Sequence, residues 1–169
     1  SPCAAANNPE CGLIGALGVG CSTAARLEPV PDVATPIACG DSVSIGFRYL
    51  PGETPAAVRG YSVRLVGSEP LSFTAEDVTV ASLPEGADVL YEVIEHAPAD
   101  ISIDYTVLGF DIEGITTQAD LFSVLVHGVA DGDGLLTVAE ADFRDLDNQP
   151  VEIDHDLSAT VPVECGPPG

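Results

Sequence analysis

Between Cys39 and Cys165 the chain breaks into short apolar runs that alternate in and out and are separated by turn residues, and this pattern confines it to β-structure. The run "SVSIGFRYL" places Val43, Ile45, Phe47 and Tyr49 on one face of a strand. "AVRGYSVRLVG" does the same with Val58, Tyr61, Val63 and Leu65, and Gly60 marks a bulge among them. "EDVTVASL", "VLYEVIEH", "DISIDYTVLGF", "DLFSVLVHGV", "GLLTVAEADFRDL" and "PVEIDHDLSATVPVEC" continue the series. The spacing predicts about eight or nine strands in a single all-β sandwich of jelly-roll type. "TTQADLF" has room for a helical turn, but no segment sustains a 3.6-residue period and there is no internal repeat.

At 169 residues with 46% hydrophobic content, the chain fills one core and has an appendage to spare. Residues 1–38 read as an N-terminal extension that ends in the proline-rich connector "EPVPDVATP". Residues 39–165 read as the sandwich and 166–169 as a short tail. Asp and Glu number 27 against 5 Arg with no Lys, a formal net charge of −22. Such a field repels nucleic acid and anionic lipid and attracts cations, calcium among them. It also suits a saline medium, where screening relieves self-repulsion.

Five cysteines in a spacing that fits no zinc ribbon, redox pair or haem motif point to an oxidising compartment, so the chain reads as exported, with Ser1 left by cleavage. Cys39 precedes the first core strand and Cys165 ends the last, so a bridge between them would staple the sandwich. Cys3, Cys11 and Cys21 remain in the extension. Three thiols leave one over, for a bridge between subunits or a free thiol, or else for a spare buried thiol beside one local bridge.

The stretch "ECGLIGALGVGCSTAARLE" lacks the basic flank of a signal peptide, and its nine residues from Gly12 to Gly20 are too few to span a bilayer. No membrane insertion is expected. As a strand it presents Leu13, Leu17 and Val19 on one side and Ile14 with Ala16 on the other. An apolar strand not needed by its own domain can complete the sheet of a neighbour, with Leu13, Ile14, Leu17 and Val19 as the inserted anchors. The alternative is that it folds back on its own sandwich.

"DGDGLLTVAE" is a candidate calcium site. Aligned to an EF-hand loop, Asp131 and Asp133 take the third and fifth positions and Glu140 the twelfth, but Val129 stands where the first aspartate belongs. A glycine-rich hairpin turn accounts for the same letters. Looser acidic sources of oxygen are Asp142, Asp145 and Asp147, and Asp154 with Asp156, which a solvated acidic face also explains. His96, His127 and His155 are scattered, with no HExxH, GxSxG or phosphate-cradling loop, so no enzyme is expected.

The pieces "CGDSVSIGFRY", "TPAAVRGYSVRL", "ISIDYTVLG", "ADLFSVLVHGVADGDGLLTV" and "FRDLDNQPV" together resemble the cohesin-like β-sandwich modules of secreted bacterial and archaeal surface proteins. The resemblance covers about residues 39 to 165, and "VRGYSV" and "RDLDNQP" are its most family-like parts. It implies the sandwich fold and the docking of calcium-loaded dockerin modules, without assigning binding residues. The extension has no counterpart in that family.

Two functions follow as expectations. The first is an extracellular structural subunit that polymerises with identical subunits by N-terminal strand addition, reinforced by disulfides. The alternative is a cell-surface binding module that docks a dockerin-like protein or a polysaccharide. The absence of tryptophan argues against a stacking platform for sugars.

Overall fold

The computed structural model describes residues 24–30, 33, 35–155 and 158–166. The alternating runs pair into two sheets. Sheet one contains β1 (Ala25–Val30), β3 (Ser42–Leu50), β5 (Leu71–Ser72), β6 (Val78–Val80), β9 (Ala119–Gly128) and β12 (Ile153–Asp154). Its order is β12-β1-β3-β9-β5, and β6 also pairs with β9. Sheet two contains β2 (Ile37–Ala38), β4 (Val58–Gly67), β7 (Val89–Ala97), β8 (Asp100–Val107), β10 (Gly132–Asp145), β11 (Pro150–Val151) and β13 (Ser158–Glu164). Its order is β2-β13-β10-β4-β8-β7, and β11 pairs with β10. Eight of the described strands have six or more residues, in line with the expected sandwich.

The inner faces are the ones the alternation predicts. Ile45, Phe47 and Tyr49 of β3, Tyr61, Val63 and Leu65 of β4, and Ile101, Ile103 and Tyr105 of β8 are all buried. Aromatic rings stack within each sheet, Phe47 on Phe122 at 4.9 Å in one and Tyr61 on Tyr105 at 4.9 Å and on Phe143 at 5.4 Å in the other, and Phe143 meets Tyr49 across the layers at 5.9 Å. Tyr105 satisfies its hydroxyl at Leu83, donating to the carbonyl at 2.6 Å and accepting from the amide at 2.7 Å. Burial pushes the Tyr61 and Tyr105 phenols above their usual range. Gly134 admits Leu71 from the opposite sheet, since a Cβ there would lie 2.3 Å from the leucine Cγ.

The structure moves two boundaries. The sandwich begins before residue 39: β1 lies in the segment read as extension and connector, pairs with β3 from Arg26↔Leu50 to Val30↔Gly46, and buries Leu27 completely. Pro29 is tolerated there because β12 covers only Ala25 and Arg26, so the position needs no amide on that side. "TTQADLF" forms no helical turn; β9 starts at Ala119, and the 3-10 turn lies instead at Ala75–Asp77. The Gly60 bulge is realised beside that glycine: Arg144 faces Gly60 and Asp145 faces Val58, leaving Arg59 as the extra residue.

Cys39 and Cys165 form a disulfide with Cα atoms 4.9 Å apart. The sequence places them together because β2 runs parallel to the end of β13, with Val163↔Ile37 and Glu164↔Ala38 in register. Cys3, Cys11 and Cys21, and the anchors Leu13, Ile14, Leu17 and Val19, lie outside the described residues. Among the described residues no helix is long and apolar enough to cross a membrane.

Candidate functional site

Because the inner residues of β7, β8, β4 and β10 are fixed by the core, their alternates form an outward grid whose rows follow from the register. One row reads Leu90, Thr106, Gly60, Arg144 and the next Glu92, Asp104, Ser62, Asp142. The third reads Ile94, Ser102, Arg64, Glu140. Leu90 is 61% and Ile94 37% exposed, apolar side chains set among charges.

The first row contains a groove of about 780 Å³. Its depth comes from Gly60, where a Cβ would stand 2.6 Å from the Tyr105 carbonyl oxygen. Leu90, Arg59 and Arg144 rim it, with the carboxylates of Asp104 and Asp142 alongside.

Three of the chain's five arginines, Arg59, Arg64 and Arg144, sit on β4 and β10. Arg64 forks onto Asp100 at 2.9 and 2.8 Å and reaches Glu140 at 3.4 Å. Arg144 holds Asp142 at 2.9 Å. The Arg64 hydrogen bonds hold the Asp100 carboxyl below the usual carboxylate range. At Asp77 burial works to raise the carboxyl, but bonds from His127 at 3.1 Å and from the Thr74 amide and hydroxyl overcome it, and the group is also depressed.

Depressed folded-state values mean stability that is present above the unfolded carboxylate pKa, about 4, and lost as pH falls through the folded values. Urea unfolding from pH 7 down to pH 2.5 should therefore show an acid-side loss of stability that is smaller in the Asp77→Asn, Asp100→Asn double variant. Equal slopes in the two proteins would remove these pairs from the account of acid stability.

The three candidate calcium ligands are not brought together. Residues 132–145 form one strand, so Asp133 and Glu140 stand roughly 23 Å apart at about 3.3 Å per residue, where an EF-hand would fold them around one ion. Asp131 instead accepts a hydrogen bond from the Cys165 amide, Asp133 is exposed on β10, and Glu140 faces Arg64. The turn before Gly132 is not the expected hairpin, because β9 and β10 belong to different sheets; it carries the chain from one to the other, with Gly132 at a φ of 136° and Gly134 giving room to Leu71. Asp145 is occupied by the amides of Asp147 and Gln149, and Asp156 lies outside the described residues. Among the described residues no group of three or more His, Cys, Asp or Glu is placed to hold a metal ion.

The histidines are spread over the sandwich. His127 pairs with Asp77, and His155 Nδ1 lies 3.3 Å from the Ile153 carbonyl. His96 shares a 2.7 Å hydrogen bond with Ser102 on the exposed grid. A hydroxyl beside an imidazole is the start of a nucleophilic pair, but no carboxylate is bonded to the other ring nitrogen of His96 among the described residues. Sequence reasoning missed the outward face itself. The signal was present in "VLYEVIEH", where both phases of the alternation carry apolar residues.

The two sheets form a β-sandwich whose outward grid lies on the four strands β10-β4-β8-β7. No protein-family profile matches the chain, and no curated protein sequence does. Solved structures of cohesins do. The seventh ScaB type I cohesin from Pseudobacteroides cellulosolvens superposes with a TM-score of 0.64 at 13% identity, covering 86% of this chain and 95% of that one. A type I cohesin–dockerin complex from Clostridium thermocellum gives 0.62 at 16%, covering 85% and 96%. A non-cellulosomal cohesin from the hyperthermophilic archaeon Archaeoglobus fulgidus gives 0.60 at 16%, covering 83% and 91%.

Proposed function

We propose that this protein is an extracellular cohesin-like binding module that docks a dockerin-like protein on the outer face of β10-β4-β8-β7. The observation that carries the reading is the glycine-floored groove with the exposed Leu90 at one end and Arg59, Arg144, Asp104 and Asp142 around it. An exposed apolar side chain among charged ones offers a protein partner both an anchor and a polar rim. The fold shared with cohesins, one of them solved with a dockerin, supports the partner class. The Cys39–Cys165 bridge supports an oxidising, exported setting. A polysaccharide is less well served, because Tyr61 and Tyr105 of this sheet turn their rings into the core.

Titration calorimetry against a panel of calcium-loaded dockerin modules tests the reading. Leu90→Asp should weaken binding about 30-fold or more, the loss expected of a hot spot worth about 2 kcal/mol, and leave Tm unchanged because Leu90 is exposed. Undiminished binding by that variant, or no binding by the wild-type chain to any module, overturns it.

A second reading, the self-assembling structural subunit, is favoured by one observation. The outer edge of β7, nine residues long, pairs with no other strand among the described residues. Long open edges of this kind accept strands from other chains.

A further inference from the structure

We infer that the open edge of β7 is the acceptor for residues 12–20 of a second copy of this chain; the inference rests on the self-assembly reading and gives it a location. Val89, Tyr91 and Val93 occupy the inward phase of β7, opposite Val107, Tyr105 and Ile103. Leu83 caps the Tyr105 hydroxyl beside this edge, yet Tyr91 is still 53% exposed, so its ring has a half-uncovered side that an added strand would bury. Glu95, further along the same phase, is held by the Ala75 amide at 3.3 Å, and Val89 and Val93 pack against the core, so Tyr91 is the inward-phase side chain that an added strand would cover. A strand added there would set one of its own phases over that ring.

The chain carries a segment with the required properties. Gly12–Gly20 has nine residues, the length of β7, and one phase supplies Leu13, Leu17 and Val19. It is also uncharged. No acidic residue occurs between Glu10 and Glu28, so this segment can lie beside Glu92 and Glu95 without adding to the repulsion in a chain of net charge −22.

Reach decides whose segment it is. The described chain starts at Ala24 and enters β1, next to β12 at the far side of sheet one. The β7 edge lies under the opposite side, where the turn before β6 touches Glu95. Crossing β3, β9 and β6 takes about 14 Å, moving one strand beyond β7 about 5 Å more, and changing sheets about 10 Å. Five residue steps from Gly20 to Ala25 span at most about 18 Å. The segment therefore cannot reach its own β7 edge around the outside of the sandwich, but it can reach that of a neighbour. Because the donor and acceptor surfaces differ, repetition of this contact is head-to-tail and builds an open filament.

The test uses the full chain carrying Ala16→benzoylphenylalanine, irradiated as a mixture of isotopically light and heavy protein, with cross-linked peptides mapped by mass spectrometry. Mixed-isotope cross-links into residues 89–97 are expected. Mixed-isotope cross-links confined to other strands overturn the β7 assignment and leave self-assembly standing. A monomer by sedimentation with no mixed-isotope product overturns both. In parallel, Tyr91→Glu, a half-exposed position, should abolish polymer in sedimentation and electron microscopy with Tm unchanged, and polymer persisting in that variant also overturns the assignment.

Discussion

Replacing Cys39 and Cys165 together by serine is expected to lower the unfolding free energy by about 5 kcal/mol. The bridge closes a loop across a sequence separation of 126, so its loss returns a large conformational entropy to the unfolded chain. The native state is expected to survive, because β2 and β13 remain paired and the Cys39 amide still donates to the Glu164 carbonyl at 3.3 Å. Urea denaturation of the two proteins without reductant measures the difference. A loss under about 1 kcal/mol would mean that the unfolded chain is already restricted without the bridge.

Phe143→Ala should cost nearly as much, about 3 to 5 kcal/mol. Its ring is fully buried on β10, between Tyr61 at 5.4 Å and Tyr49 at 5.9 Å, where the two sheets meet. Truncation removes the transfer energy of a phenyl group and opens a cavity that rigid strands on both sides cannot close. The cavity would border Tyr49, whose hydroxyl is buried with no hydrogen-bond partner in the described structure. Thermal and urea unfolding read the loss, and Phe143→Leu should recover more than half of it. Equal stability of the alanine variant would show that the cluster packs loosely.

The core of this fold was legible because β-alternation is a local property. Val43, Ile45, Phe47 and Tyr49 could be placed on one face before any pairing was known, and the structure packs that face inward. The disulfide was legible for a similar reason, as the two cysteines flank the first and last strands of the run. What stayed hidden depends on pairing partners. Proline at positions 29 and 31 reads as connector, and only the short reach of β12 explains why β1 accepts Pro29. The spacing of Asp131, Asp133 and Glu140 was silent on their placement for the same reason: they are close in sequence, but Asp133 and Glu140 lie along one extended strand and Asp131 just ahead of it. The outward grid was hidden because it consists of residues from four strands that only the register brings side by side.

The position of the bridge also fixes how the domain carries load. Tension pulling the chain apart at its two flanks enters through β1 on one side and leaves past Cys165 on the other. Between Cys39 and Cys165 it crosses the two sulfurs, and the intervening strands lie outside the line of force. Only the segment ahead of Cys39 can peel away. The chain inside the loop, roughly 440 Å if drawn out at about 3.5 Å per residue, is locked against extension, and the grooved face stays in shape while the strap that bears it is under strain.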